Sequence, residues 1–268
     1  MCRTQPFTQS ALLAMFAVTT LSCSVLIDSK DHQCSVDADC IARGEAFADT
    51  TCQQNVCVTP SASTCNPVAG ETVSISFSID YTSKTPKPFR VRACSRLDYV
   101  CDAPIGCPVT ANAGEPLTIP VPREFQGLLE VTSPNTVPAM EFLGRPVTED
   151  MDGWDLTLAD ESSVALFGAA TEQEIDRSLG TIVAVVRDED RNPLEGAVVT
   201  NESGGVGFYF TNMFPDKSLE ETTEAGAAGF VNVPLGSTLI GGSYDKHPLT
   251  ETQVISRTGW ITYAEVFP

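Results

Sequence analysis

The sequence predicts an all-β protein: two small antiparallel β-sandwiches in tandem behind a disulfide-rich N-terminal module. Three observations lead there. Short segments alternate apolar and polar residues with a period of two, as in Val73-Ser-Ile-Ser-Phe-Ser-Ile79. Turn formers punctuate most of the gaps, drawing on 19 Gly and 18 Pro. Eight of the 10 Cys fall between residues 34 and 107, the density of a chain that matures in an oxidising compartment.

The first element is a targeting segment, residues 1–22. Arg3 is the only charge before Asp28, and Ala11 to Leu21 is mostly apolar. That stretch is too short to span a bilayer and has the form of an export signal. It ends in Thr20-Leu21-Ser22-Cys23, which resembles the bacterial lipobox. The resemblance implies cleavage before Cys23 and a lipid on its thiol. Thr20 departs from the pattern, which has an aliphatic residue there; the other reading is a plain secretory signal cut near Ser22. Removing residues 1–22 takes away one Arg and no acid, so the formal charge moves from -19 to -20.

Residues 23–33 then form a lipidated tether, and residues 34–62 a small cysteine module, Cys34-x5-Cys40-x11-Cys52-x4-Cys57. So short a segment buries little apolar area, and two bridges would each contribute about 2–4 kcal/mol. Four cysteines allow three pairings; Cys34–Cys52 with Cys40–Cys57 is favoured. Thr59-Pro-Ser-Ala-Ser-Thr reads as a linker.

Residues 63–159 are expected to form the first sandwich. After Val73 to Ile79 come Phe89, Val91 and Ala93; Leu117, Ile119 and Val121; Leu129 and Val131; Met140 and Phe142; then Trp154, Leu156 and Leu158. The remaining disulfide cysteines are Cys65, Cys94, Cys101 and Cys107. Cys94–Cys101 across a hairpin is the first choice, leaving Cys65–Cys107. Residues 160–179 break the alternation. Thr171-x-x-Glu174 fits a capping box, with Ile175 and Leu179 on one side, so a short helical linker is expected there. From residue 180 to 268 the β pattern resumes. Ile182-Val-Ala-Val-Val186 is wholly apolar, as in a central strand, and segments near Ala197, Phe208, Phe230, Ser237, Gln253 and Ile261 follow. Ala113-Gly114 leading to Val121-Pro122 is echoed by Ala225-Gly226 leading to Val233-Pro234, which suggests shared local geometry or two related domains.

In that last segment, Gly180-Thr-Ile-Val-Ala-Val-Val, Asn192-Pro-Leu-Glu-Gly-Ala-Val-Val, Thr223-Glu-Ala-Gly226 and Phe230-Val-Asn-Val-Pro-Leu-Gly236 resemble the carboxypeptidase regulatory-like domain, a transthyretin-type β-sandwich. The resemblance implies a folding and interaction module rather than a catalyst. Cys34-Ser-Val-Asp-Ala-Asp-Cys40, Arg92 to Cys101, Phe142-Leu-Gly-Arg-Pro146, Phe208-Tyr-Phe210 and Gly259-Trp-Ile-Thr-Tyr263, together with the lipobox-like cysteine, make the whole chain similar to uncharacterised exported lipoproteins of Gram-negative bacteria. That resemblance implies a cell-envelope location. Ser24 after the acyl cysteine, where Asp would retain such a protein, points to the outer membrane by the same resemblance.

Charge and composition narrow the chemistry. With 16 Lys+Arg against 35 Asp+Glu, the chain lacks the basic face that nucleic acid requires. Asp28, Asp31, Asp37 and Asp39 offer hard oxygen ligands, but without the spacing of a calcium loop, so Asp37 and Asp39 are expected to cap turns and the other two to be solvated. No C-x-x-C pair occurs and only His32 and His247 could join the cysteines, which speaks against zinc. Gly-x-Ser-x-Gly, His-Glu-x-x-His and phosphate-loop motifs do not occur. The acid pairs Glu149-Asp150 and Asp160-Glu161 sit side by side, where glycoside hydrolysis needs carboxyls facing across a cleft. Phe208, Tyr209, Phe210, Phe214, Trp260 and Tyr263 offer a stacking or partner surface, with most expected in the core.

The expected function is therefore a lipid-anchored envelope protein with a structural or binding role, no catalysis and no cofactor or metal. Its partners would be the membrane, through the lipid on Cys23, and an envelope protein or glycan at a binding site the sequence does not locate. An envelope hydrolase with a dispersed site around His247 and a calcium-dependent adhesion module are the alternatives.

Overall fold

The computed structural model describes residues 34–42, 50–53, 56–58, 65, 67–81, 88–98, 100–134, 136–211 and 214–268. The export signal, Cys23, the tether with Asp28, Asp31 and His32, and the 59–64 linker lie outside the described residues. Among the described residues no helix is long and apolar enough to cross a membrane.

The N-terminal module contains one helical turn and a two-stranded ladder: α1 (Asp37–Ile41), β1 (Thr51–Gln53) and β2 (Val56–Val58). Cys52 faces Cys57 in the ladder. Each is bonded back to the α1 segment, Cys52 to Cys34 and Cys57 to Cys40. Cys34 and Cys40 are buried, so the bridges themselves form the small core. The Asp39 carboxylate accepts from the amides of Ser35 (2.6 Å) and Val36 (3.2 Å), fastening the start of α1.

Seven strands follow: β3 (Thr72–Tyr81), β4 (Pro88–Ser95), β5 (Ile105–Asn112), β6 (Leu117–Pro122), β7 (Gly127–Thr132), β8 (Ala139–Phe142) and β9 (Met151–Leu158). Helix α2 (Glu161–Thr171) comes next. Nine further strands complete the chain. They are β10 (Gly180–Val186), β11 (Ala197–Asn201), β12 (Val206–Thr211), β13 (Phe214–Asp216), β14 (Ala227–Val233), β15 (Gly236–Tyr244), β16 (His247–Pro248), β17 (Thr252–Ser256) and β18 (Ile261–Val266).

The protein is all-β in class, and its layers share a sheet. One nine-stranded sheet runs β13-β12-β14-β10-β18-β8-β7-β4-β5. A three-stranded sheet, β6-β3-β9, packs on one face of its N-terminal end. A four-stranded sheet, β11-β15-β16 with β17 also on β15, packs on the opposite face. Most ladders are antiparallel; β3–β9, β10–β18 and β18–β8 are parallel. The β8–β18 ladder, four residues long, is where the sheet passes from the N-terminal strands to the C-terminal ones.

Opposite-face packing explains the burial along the central strands. Leu129, Val131 and Ala139 enter the first core with Val73, Ile75, Phe77 and Ile79 of β3. Their sequence neighbours Leu128, Met140 and Phe142 enter the second core with Ile182, Ala184 and Val186 of β10. Every residue of β8 is buried, and all of β7 except Thr132, as in a sheet covered on both sides. Beyond β18, α2 covers the face that the three-stranded sheet leaves, with Phe167 against Val183, Phe208, Phe210 and Val231.

One expectation needs correction. The helix spans Glu161–Thr171 and is capped by Asp160, not by Thr171. Thr171 is its last residue, with its hydroxyl donating to the Phe167 carbonyl at 2.8 Å, and Glu172 turns left-handed at φ 55°. No helix starts at Thr171; Ile175 and Leu179 lie on an irregular return. The echo around Gly114 and Gly226 is local geometry. Both glycines have positive φ, but β6 is an edge strand while β14 lies inside the large sheet between β12 and β10.

Candidate functional site

Helix α2 begins where its sequence supplies an N-cap. The Asp160 carboxylate accepts from the Ser163 amide (2.8 Å) and from the hydroxyls of Ser162 and Ser163 (2.6 and 3.0 Å). The Ser162 hydroxyl first, then the Ser163 amide, hold that carboxyl below its ordinary range. Phe167 anchors the helix, its ring 5.3 Å from that of Phe208 and 5.8 Å from that of Phe210. Gly168 lets the chain double back. A β-carbon there would stand 2.9 Å from the Gln173 carbonyl oxygen and from Ile175 Cγ1.

The returning segment is pinned to β14. Asn232, at φ 56°, accepts from the Asp176 amide at 2.8 Å and donates to the Glu174 carbonyl at 2.9 Å. Ser178 donates to Asp176 through both hydroxyl and amide, which keeps the Asp176 carboxyl below its usual range. Opposite stands the Gly259-Trp260 turn, with Gly259 at φ 69°. Between the two walls lies a groove of about 370 Å³. Its floor is apolar, from Val137, Val164, Gly168, Ile175, Leu179 and Ile261, and its rim carries Glu161, Gln173 and Arg177. Glu161 and Arg177 pair at 3.0 Å in the open. The Trp260 ring, with the Arg257 guanidinium 5.0 Å over it, packs against the second core on the other face of the sheet. Such a site can take an apolar group inside and meet polar groups at its mouth.

A second exposed feature is the loop after β4. Cys94–Cys101 closes it. Although burial opposes it, the amides of Ala103 and Asp102 hold the Asp98 carboxyl below its ordinary value. Leu97 and Val100 project from this staple at 76% and 58% exposure, outside any core.

Beneath these surfaces the large sheet buries three glutamates. Glu130 on β7 pairs with Arg92 and with Arg257, tying β4 and the β17–β18 turn to one carboxylate. Glu265 on β18 pairs with Arg187 (3.2 Å) and Arg191 (2.9 Å) on the opposite face. Glu141 on β8 forms no ion pair among the described residues. Arg145 stacks 4.0 Å over Phe267. These pairings fix the framework behind the groove.

The residues singled out by sequence fall as follows. The structure joins Cys34 to Cys52, Cys40 to Cys57, Cys65 to Cys107 and Cys94 to Cys101. His247 is exposed on the β15–β16 hairpin, paired in register with Tyr244. Asp150 accepts from the Ser74 amide at 2.8 Å, and Asp160 and Glu161 start α2. Those acids are engaged in capping and pairing. Phe208 and Phe210 are core, Tyr209 accepts from the Val199 amide through its hydroxyl (3.2 Å), and Phe214 is exposed. Trp260 alone of the aromatic set lines the groove. Sequence reasoning passed over Arg177 and Gln173, whose role arises only from the turn after α2.

No family model matches the chain. No curated protein matches it. Among solved structures, a streptococcal ancillary pilin is 13% identical at a TM-score of 0.25, over 74% of this chain and 68% of that one. The shaft pilin SpaA of Lactobacillus rhamnosus GG is 10% identical at a TM-score of 0.24, over 74% and 98%. The minor pilin GBS52 of Streptococcus agalactiae is 8% identical at 0.24, over 73% and 95%. Likeness at this level carries no argument about what the chain does.

Proposed function

We propose that this chain is a lipid-anchored cell-envelope protein with a structural or binding role and no catalytic one. In this reading the acylated Cys23 holds it at the outer membrane or cell surface. The cysteine module serves as a stalk, and the large sheet presents the α2–Trp260 groove to an envelope protein or glycan. The C-terminal half serves as an interaction module, in keeping with its resemblance to the carboxypeptidase regulatory-like domain.

One observation carries the binding reading: the groove joins an apolar floor to a polar rim on the large sheet. The engaged state of the acid pairs supports the non-catalytic part, since Asp150 and Asp160 hold backbone amides.

The test is crosslinking pull-down from native envelope with the ectodomain and a Val164→Asp variant. The proposal expects specific retention that the variant loses. Turnover of peptide, ester or glycoside substrates abolished by His247→Ala would replace it with the hydrolase. A melting temperature raised by calcium and reversed by chelation would replace it with the adhesion module. Anchoring is read separately: Cys23→Ala should move the protein to the soluble fraction, and continued membrane retention would count against the lipid.

A further inference from the structure

The β8–β18 ladder joins the two ends of the large sheet with four register pairs, Ala139↔Ile261 to Phe142↔Ala264. Other contacts bridge the same line: the second core packs Leu128, Met140 and Phe142 on one side with Ile182, Ala184 and Ala264 on the other. The Ile261 amide donates to the Pro138 carbonyl at 3.0 Å, Arg257 reaches Glu130, and Arg145 stacks on Phe267. The ladder is parallel and as short as the antiparallel β7–β8 ladder beside it, while β10–β18 on its other side is longer.

Glu141 sits within it. The residue is 5% exposed, and its register partner across the ladder is Tyr263. Its diagonal neighbour on the same face is Glu265. The two arginines nearest that face, Arg187 and Arg191 at the end of β10, are both taken by Glu265. On its own chain Arg145 is engaged with Phe267, and Glu130 of β7 lies on the other face with its own two arginines. Tyr263, Glu265, Arg187 and Arg191 are thus the titratable and charged groups that face Glu141. A carboxylate formed there would be buried, without an ion pair and beside a second carboxylate, and such a site favours the neutral acid.

We propose that the β8–β18 ladder is a proton-gated joint, latched while Glu141 carries its proton and loosened when Glu141 gives it up. Burial first and the Glu265 charge second push the Glu141 carboxyl well above its ordinary range, with Arg187 and Arg191 pulling the other way. Burial also pushes the Tyr263 hydroxyl up, so the phenol stays protonated through the range in which Glu141 titrates. The consequence is local. The ladder hydrogen bonds beside Glu141 open, while Met140, Phe142 and Ala264, which point to the other face of the sheet, stay packed in the second core.

The experiment is hydrogen exchange, corrected for intrinsic rate, on the full mature chain between about pH 6 and about pH 9, the range reached by buried glutamates. Amides in residues 139–142 and 261–264 are expected to lose at least about tenfold in protection as pH rises, while β10–β14 amides keep theirs. Glu141→Gln should abolish the response, and Tyr263→Phe should preserve it. An unchanged response in Glu141→Gln, its loss in Tyr263→Phe, or equal loss of protection across all ladders would overturn the proposal. Infrared spectra of the unmodified protein test it without a variant. A protonated-carboxyl band must be present at the acid end and vanish as the ladder opens, and its absence at the acid end would also overturn it.

Discussion

Replacing Glu130 with alanine removes the carboxylate that Arg92 and Arg257 share. Glu130 is 1% exposed, while the two arginine side chains are 28% and 15% exposed. Truncation therefore leaves two largely enclosed guanidiniums with no counter-charge. Among the described residues the Arg257 Nε and Nη2 atoms already lack a hydrogen-bond partner, so none of these offers Arg257 a second acceptor. Breaking a buried pair in this way costs about 3–5 kcal/mol. For a chain of this size that is a fall in Tm of roughly 6–20 °C. Urea unfolding of the ectodomain is the assay, with the midpoint shifting and the slope held. A cycle with Arg257→Ala separates the cross-sheet pair from lost packing. Removing all three charges together for residues of similar volume should recover most of the loss. A Glu130→Ala variant within about 1 kcal/mol of the parent would match a surface ion pair and refute the clamp.

Three further expectations follow from the same geometry. Asp160→Ala should cost about 1 kcal/mol by removing the α2 cap. Because the folded carboxyl lies below its ordinary value, that contribution holds above the usual carboxylate range and fades as pH falls through it, which urea midpoints at two pH values will read. Glu141 has the opposite sign. Its folded carboxyl is raised, so its contribution is whole below the usual range and is lost as pH climbs toward the folded value. Glu141→Gln should then exceed the parent in stability at alkaline pH, with the gap closing on acidification. Replacing both Cys65 and Cys107 with serine opens a loop with a sequence separation of 42. The chain-entropy model gives a loss of about 4 kcal/mol, measurable by calorimetry against the intact protein.

Much of the strand pattern could be read in the sequence, because alternation is a direct image of half-burial. Val73 to Ile79, Leu117 to Val121 and the unbroken apolar stretch at Ile182 all lie where their period places them. The pattern failed where burial was two-sided or the strand irregular. Leu128 and Glu130 read as outward residues beside Leu129 and Val131, yet the four-stranded sheet covers them. No local signal announces a second sheet on the far face. Strand β5 carries Gly106 and Pro108 at a sheet edge and shows no alternation. The cap of α2 was present as Asp160-Glu-Ser-Ser163 but read as an acid pair. Gly168 and the irregular return hid the groove. The clamp on Glu130 joins residues 127 apart in sequence, and such pairs arise only from the folded topology.

The account rests on one continuous sheet passing through β8 and β18 and uniting both ends of the molecule. Differential scanning calorimetry of the oxidised ectodomain near neutral pH tests this most directly. A single transition whose calorimetric and van't Hoff enthalpies agree is the predicted result. Two separable transitions, one for each end of the chain, would contradict it.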